Sequence, residues 1–170
     1  MVYAICAIIK DEHPYLKEWL DYHFNLGFNQ IYLYEDYNSK SHKSITDNYK
    51  NVFLSNLEQF EIENSANTKK QSELYNKFLK VHKELNDIDW CAFIDIDEYI
   101  DLTDGYTLNK LTDEYRGYAG VYLSWKMYGA NGYVERPKGG IVESYTKECP
   151  KCDDSNKWNF KSFVNIHKAL

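Results

Sequence analysis

Residues 90–99 read Trp-Cys-Ala-Phe-Ile-Asp-Ile-Asp-Glu-Tyr, so that a run of apolar side chains ends in three acidic ones. The apolar run predicts a buried strand, and strand alternation would place Asp95 and Asp97 on one side, with Ile96 facing the core. Two carboxylates at the end of a buried strand repel each other and lose hydration. A divalent cation, or a ligand that donates hydrogen bonds, would relieve this repulsion. The alternative is a charged strand end followed by a solvated turn.

The composition is typical of one soluble globular domain. The chain has 170 residues, of which 44% are hydrophobic and 27% are charged, and this length supports a single hydrophobic core. Its net charge is −6, and the sequence contains neither a basic stripe nor an arginine-rich helix. We therefore expect no nucleic acid partner.

The amino-terminal apolar run is expected to be a strand. Residues 2–9 lack a preceding basic region and a cleavage site, and the charged residues 10–12 interrupt the run. No apolar run approaches the roughly 20 residues that a membrane-spanning helix needs. We expect a cytoplasmic protein, and peripheral association with a membrane stays open.

The four cysteines do not have the pattern of a secreted disulfide framework. Cys6 and Cys91 lie in apolar runs and are expected to be buried thiols. Cys149 and Cys152 have the spacing of half a zinc site, with a loop disulfide and two free thiols as the alternatives.

Strands and amphipathic helices alternate along the chain, an order that predicts an α/β fold with a largely parallel sheet. The expected strands are residues 2–9, 31–34, 52–54, 90–95, 121–125 and 160–166, with 57–62 extended; the expected helices are residues 11–26, 44–50, 68–85 and 108–115, and a long loop follows residue 128. Ligands of such sheets bind at the carboxyl ends of the strands. Polar clusters at residues 10–12, 35–36 and 95–97 follow three of the strands, which predicts a binding site on that rim.

Four blocks of sequence, in order along the chain, carry a resemblance to a known family. They are residues 9–23 (IKDEHPYLKEWLDYH) with Gly27-Phe28 and residues 31–36 (IYLYED); Gln71 with Tyr75-Asn76; residues 93–99 (FIDIDEY); and Trp125, Tyr128-Gly129 and Gly132 with residues 161–164 (KSFV). Together they resemble a family-2-like glycosyltransferase of the GT-A fold, close to glycosyltransferase family 92. The resemblance implies a Rossmann-like, mostly parallel sheet flanked by helices in one domain, residues 1–170. Residues 1–100 would bind the nucleotide sugar, and residues 101–170 would form the acceptor side.

The resemblance also implies the reaction. A metal-dependent glycosyltransferase would move a sugar from a nucleotide-sugar donor, a UDP-sugar, to a glycan or lipid-linked saccharide acceptor with inversion. The cofactor would be Mn²⁺ or Mg²⁺, held by Asp97, with Asp95 on the metal or on the ribose. The donor would contact the side chains of Glu12, Glu35, Asp36, Gln71 and Asp95. Inversion needs a carboxylate that accepts the acceptor's proton, and Glu135 is the candidate, with Glu143 as the alternative.

The sequence departs from the family pattern at several points. Asp11 stands where the family has asparagine, and Glu35-Asp36 where it more often has Asp-Asn. The sequence ends at Leu170, soon after the last block, whereas related enzymes continue and often contain a late metal-binding histidine, a role open to His167. A truncated, catalytically inactive nucleotide-sugar-binding protein or accessory subunit is therefore the main alternative function.

A phosphotransferase of the haloacid-dehalogenase type is a remote alternative. Such enzymes also carry Asp-x-Asp after an apolar strand. Their motif normally follows the first strand, with threonine or valine two residues after the second aspartate. Here the motif follows about the fourth expected strand, and Tyr99 occupies that position.

Overall fold

The computed structural model describes residues 1–103, 105–148 and 159–169. Its strands are β1 (Tyr3–Ile9), β2 (Gln30–Glu35), β3 (Val52–Asn56), β4 (Trp90–Phe93), β5 (Gly120–Ser124) and β6 (Phe160–Asn165); its helices are α1 (His13–Leu26), α2 (Lys43–Thr46), α3 (Asn67–Leu85), α4 (Leu108–Glu114) and α5 (Ile141–Ser144). None of the helices in these ranges combines the length and the apolar character that a membrane-spanning helix requires. Cys149 and Cys152 lie outside the described residues.

The six strands form one sheet in the order β3-β2-β1-β4-β6-β5. β1 pairs in parallel with β2 and β4, and β2 pairs in parallel with β3, whereas β6 runs antiparallel to both β4 and β5. Parallel neighbours need crossover connections, and α1 and α3 lie in these connections. The predicted α/β fold with a mostly parallel sheet is confirmed.

Parts of the secondary-structure prediction were wrong, and the short helix expected over residues 44–50 already ends at Thr46. Residues 57–62, expected to be extended, form turns in which the Ile62 N–H donates to the Leu57 carbonyl at 2.8 Å. Both side chains are buried, so the apolar residues of this segment belong to a buried turn rather than to a strand. The long loop expected after residue 128 contains the short helix α5.

Hydrophobic side chains cover both faces of the sheet. On one face, α1 and α4 pack over β1, with Trp19 and Leu20 fully buried. On the other face, α3 packs Phe78 against the sheet beside Cys6 and Cys91. The two cysteines are free and buried, as predicted. This packing leaves the carboxyl ends of β1, β2 and β4 as the edge at which polar side chains collect.

Helix α1 fixes the segment that follows β4. The Trp19 indole N–H donates to the Glu98 carbonyl at 2.8 Å, and the Tyr22 hydroxyl donates to the Ile100 carbonyl at 2.9 Å. The Ile100 N–H donates to Nε2 of the buried His23 at 3.4 Å. Three side chains of one helix therefore hold the backbone just after the acidic motif.

Protonation of His23 is expected to destabilise the fold. Its Nδ1 lies 2.9 Å from the Trp19 carbonyl, so a ring that donates there and accepts from Ile100 is neutral. Burial lowers the pKa of His23 from 6.5 to about 4. Between these two values the unfolded chain binds a proton that the folded chain does not, so stability falls as pH decreases. The loss is about 3 kcal/mol between pH 7 and pH 4.

Urea unfolding at several pH values, with His23→Gln as the reference, measures this loss. Glutamine offers a donor and an acceptor but does not titrate over this range. We expect the variant to lose less stability than the parent by about 3 kcal/mol over the same interval. Equal losses in the two proteins would show that His23 does not control the acid sensitivity.

Candidate functional site

A cavity of about 520 Å³ lies at the carboxyl ends of β1, β2 and β4, next to the first turn of α3. This volume is in the range of small-molecule sites. Its lining combines apolar, acidic and cationic side chains: Ile8, Ile9, Lys10, Glu12, Tyr15, Asp36, Asn67, Lys70, Gln71, Asp95, Ile96 and Asp97. Polar residues that follow three strands therefore share one cavity on the expected rim.

The acidic motif lies in a turn rather than on the strand. The sequence had suggested that strand alternation positions Asp95 and Asp97. β4 ends at Phe93, however, so these two residues lie beyond the strand. The turn is closed by the Asp95 N–H, which donates to the Glu98 carboxylate at 2.8 Å, and by the Glu98 N–H, which donates to the Asp95 carbonyl at 3.1 Å. Ile96 packs into the core with 5% exposure, as predicted. Its burial anchors the turn and leaves the flanking carboxylates at the cavity.

Asp95 already has a cationic partner. The Lys161 ammonium donates to one of its oxygens at 2.5 Å, and the Gln71 amide donates to the other at 3.3 Å. Lys161 also lies 3.3 Å from the Glu98 carboxylate. The repulsion expected between neighbouring carboxylates is therefore partly compensated by a lysine from β6. Lys161 lies in one of the blocks that carry the family resemblance, but the sequence predicted no role for it.

Asp97 has a different environment. Its side chain is exposed and lines the cavity, and no hydrogen bond or ion pair of its carboxylate occurs within the described ranges. It lies close enough to Glu12 to affect that residue: burial raises the pKa of Glu12, and the charges of Asp11 and Asp97 raise it further. Asp97 is thus the carboxylate of the turn that is available to a cation.

These carboxylates fit a cation that shares its coordination with a ligand. Mg²⁺ and similar hard cations take one or two carboxylates and complete their shell with water and phosphate oxygens. Within the described residues, no group of three or more His, Cys, Asp or Glu side chains is arranged to hold a metal ion. Asp97, with Asp95 beside it, therefore fits a metal ion that is also coordinated by a diphosphate. The two carboxylates alone do not complete the coordination shell of a metal ion.

The segment between β1 and α1 positions Glu12. Asp11 has a positive φ of 60°, a conformation that asparagine and aspartate adopt more readily than other residues with a side chain. Its carboxylate accepts a hydrogen bond from the Lys40 N–H at 2.9 Å, and the Lys10 N–H donates to the Glu12 carboxylate. Aspartate in place of the family's asparagine is therefore compatible with this backbone.

Asp36 binds two lysines of the cavity. The nearly buried Lys70 ammonium donates to Asp36 at 2.6 Å, and the Lys10 ammonium lies 3.6 Å away. Burial alone would raise the pKa of Asp36, but the hydrogen bonds from Lys70 and Tyr37 and the charges of both lysines lower it. The ionised carboxylate thus holds two cations at the cavity wall.

Asp36→Asn is expected to destabilise the fold by about 3 kcal/mol, because it leaves the buried Lys70 ammonium without a carboxylate. Urea unfolding at neutral pH measures the change. The double variant Asp36→Asn/Lys70→Met removes both charges and should recover most of the loss. Glu63→Gln, which removes the exposed partner of Lys69, is the control and should leave the unfolding midpoint nearly unchanged. An unchanged midpoint in Asp36→Asn would contradict this account.

Glu35 does not line the cavity. Its carboxylate accepts hydrogen bonds from the His42 N–H at 2.6 Å and from the His42 ring at 3.1 Å. The buried His42 ring stacks on His13 at a centroid distance of 3.9 Å. Glu35 thereby holds the segment after β2 against the start of α1, and its contact with a nucleoside stays a prediction.

Glu135, expected on the acceptor side, lies in a loop that docks on α1 through its neighbour Arg136. Glu135 is exposed. The guanidinium of the adjacent Arg136 stacks on Tyr15 at 4.0 Å and donates to the Pro14 carbonyl at 2.8 Å. Tyr15 lines the cavity. Glu135 therefore directly precedes a residue, Arg136, whose side chain contacts the cavity wall. Glu143 belongs to α5 and is not among the lining residues.

His167 does not approach the acidic motif. Its Nε2 lies 3.1 Å from the Asp89 carboxylate, and Asp89 immediately precedes β4. The motif follows the opposite end of the same strand, so the suggested metal-binding role of His167 is wrong.

Trp125 is 44% exposed, and the Lys161 ammonium lies 5.6 Å from its ring centroid.

Comparison with solved structures shows a shared fold. The crystal structure of S. aureus TarS 1–349 superposes with a TM-score of 0.54 and 18% identity, covering 98% of this chain and 47% of TarS. The structure of TarS 1–349 in complex with UDP-GlcNAc gives a TM-score of 0.50 and 19% identity, covering 81% of this chain and 37% of that one. The chain thus spans about half the length of the TarS fragment.

Sequence comparisons identify the family. No curated protein matches the chain. The sequence profile of glycosyltransferase family 92 matches residues 1–170, which includes every residue of the cavity and the acidic turn. The chain belongs to glycosyltransferase family 92.

Proposed function

We propose that the chain transfers a sugar from a UDP-sugar to a glycan or lipid-linked acceptor, with inversion and with Mn²⁺ or Mg²⁺ as cofactor. Because the chain belongs to a glycosyltransferase family, the alternative function as a haloacid-dehalogenase-type phosphotransferase is set aside. One observation carries the proposal. The exposed carboxylate of Asp97 shares a cavity with two lysines that are held by Asp36, so the cavity offers ligands for a cation and partners for phosphate oxygens.

The charges of the cavity suit a nucleoside diphosphate. Lys10 and Lys70 supply ammonium groups that bind phosphate oxygens, and both line the cavity. Asp36 keeps these ammonium groups at the wall, and its own contact with the donor stays a prediction. Gln71 lines the same wall and is directed at Asp95. The lining residues all lie between Ile8 and Asp97, which supports residues 1–100 as the donor-binding part.

Asp97, with Asp95 beside it, would hold the metal. When bound, Mn²⁺ or Mg²⁺ stabilises the negative charge that develops on the departing diphosphate. The protein contributes a turn whose backbone is fixed by Ile96 burial and by the α1 contacts to residues 98–100. Such a fixed turn limits the reorganisation required as charge develops.

Glu135 is proposed as the general base. Inverting transfer requires that an acceptor hydroxyl loses its proton as its oxygen bonds to the sugar and the bond to the diphosphate breaks. The Glu135 carboxylate would receive that proton. The docking of Arg136 on Tyr15 and Pro14 supports this role because it fixes the adjacent loop backbone beside the cavity.

Thermal unfolding with a panel of nucleotide sugars tests the donor class, and UDP-GlcNAc, the ligand of a TarS crystal structure, is its first member. We expect UDP and at least one UDP-sugar to raise Tm in Mn²⁺, with a smaller rise in EDTA. ADP and GDP at the same concentration are the controls. No rise with any uridine nucleotide would contradict the proposal. Binding without hydrolysis or transfer would favour the nucleotide-sugar-binding alternative.

A further inference from the structure

Lys161 is the cationic centre of a cluster at the acidic turn. Its ammonium lies 2.5 Å from Asp95 and 3.3 Å from Glu98. The side chain of Lys161 is 19% exposed, that of Asp95 38% and that of Glu98 23%. Solvent therefore screens the attraction between them only partly. The cluster therefore holds one positive charge against two negative charges beside the cavity.

The backbone around Lys161 is fixed by sheet pairing. β6 lies between β4 and β5, and Lys161 pairs with Leu123 of β5. The neighbouring Ser162 pairs with Phe93, the last residue of β4. The ammonium itself sits on a flexible four-carbon chain and can rotate its donors among several acceptors. Because the backbone is fixed and the ammonium can move, Lys161 can exchange one carboxylate partner for another.

The lysine and a divalent cation cannot both use the same oxygen of Asp95. The Lys161 ammonium donates to Oδ2, and a metal on that atom would bring two positive charges into contact. Such like-charge contacts are costly in a partly buried site. The Asp95 carboxylate accepts from Gln71 through its other oxygen. Metal binding at this oxygen of Asp95 therefore requires that Lys161 moves.

We propose that Lys161 is a positioning residue that competes with the divalent cation for Asp95 and yields to it when the nucleoside diphosphate binds. This inference rests on the proposed function. In the donor-free chain, Lys161 neutralises Asp95 and keeps the affinity for free metal low. A bound diphosphate would add negative charge and further metal ligands, Asp95 would then be able to hold the metal, and the Lys161 ammonium would stay with Glu98. Metal and nucleotide then bind with positive coupling, since each favours the same arrangement of Lys161.

Manganese binding measured by electron paramagnetic resonance of the free ion tests the competition without any activity assay. Lys161→Met removes the competing charge and keeps an apolar chain of similar length. We expect Mn²⁺ to bind this variant at least about tenfold more tightly than the parent in the absence of nucleotide. We also expect UDP to tighten Mn²⁺ binding less in this variant than in the parent. Lys161→Arg keeps the charge and should resemble the parent.

Lys126→Met is the matched control. Lys126 pairs with Glu148 at 3.2 Å, and both side chains are more than half exposed. Its removal should leave Mn²⁺ affinity unchanged. Should Lys161→Met bind free Mn²⁺ no more tightly than the parent and Lys126→Met, the competition does not exist.

Thermal unfolding separates this inference from the proposed function. In EDTA, Lys161→Met should have a lower Tm than the parent because Asp95 and Glu98 lose their shared cation. Saturating Mn²⁺ should then raise its Tm more than that of the parent. If this variant does not fold, Lys161→Gln replaces it in both measurements. A parent that binds no UDP in Mn²⁺ contradicts the proposed function and this inference with it. A parent that binds UDP with Mn²⁺, alongside a Lys161 variant with parental metal affinity, contradicts this inference alone.

Discussion

Asp97→Asn is expected to abolish the manganese-dependent part of UDP-sugar binding and to lower sugar transfer by more than about 10³-fold. Asp97 is exposed at the cavity, and asparagine keeps its shape while removing the charge that a cation requires. Calorimetric titration of UDP in Mn²⁺ and in EDTA measures the effect. The two titrations should differ for the parent and coincide for the variant.

The fold should survive this substitution. The charge of Asp97 raises the pKa of Glu12, which means that the two carboxylates repel each other, so metal-free stability should hold or rise slightly. Asp101→Asn, which removes an exposed charge just beyond the turn and outside the cavity lining, is the control. An unchanged metal dependence in Asp97→Asn would remove Asp97 from the metal site.

Glu135→Gln is expected to leave UDP-sugar affinity nearly unchanged and to lower transfer by about 10²–10⁴-fold, because the amide cannot accept the acceptor's proton. Donor hydrolysis should also fall if water uses the same base. Single-turnover assays with saturating donor separate the chemical step from binding.

Glu143→Gln is the comparison that identifies the base. Glu143 lies in α5, and Glu18 accepts hydrogen bonds from the Ile141 and Val142 N–H groups at the start of that helix. We expect Glu143→Gln to transfer sugar at nearly the parental rate. A large loss in Glu143→Gln together with parental transfer in Glu135→Gln would exchange the two assignments.

Much of the fold could be predicted from local sequence patterns. The alternation of strands with amphipathic helices gave the α/β class and the main elements, because each pattern depends on residues close together in the chain. The cavity lies where the parallel strands end, at the edge that the sequence indicated. Residues 57–62 were misassigned because a buried turn and an extended segment can share the same short apolar pattern.

The charge pairs of the site could not be predicted, because they join distant parts of the chain. Lys161 reaches Asp95 only after β6 has paired with β4, and no local pattern encodes that contact. Lys70 looks like a solvated helix residue in the sequence, yet it is nearly buried against Asp36. The family resemblance assigned Glu35 to the donor, and that role stays a prediction, but nothing in the sequence indicated that its carboxylate also binds His42. An acidic residue at the end of a parallel strand can therefore have a protein partner that the sequence does not reveal.

A crystal structure of the chain with UDP and Mn²⁺, with anomalous data to locate the manganese, tests the central claim most directly. We expect the manganese between Asp97 and the UDP diphosphate in the cavity, at about 2–2.3 Å from an Asp97 oxygen. We also expect Lys10 or Lys70 on a phosphate oxygen. A diphosphate bound outside this cavity, or a manganese ion that does not contact Asp97, would contradict the account.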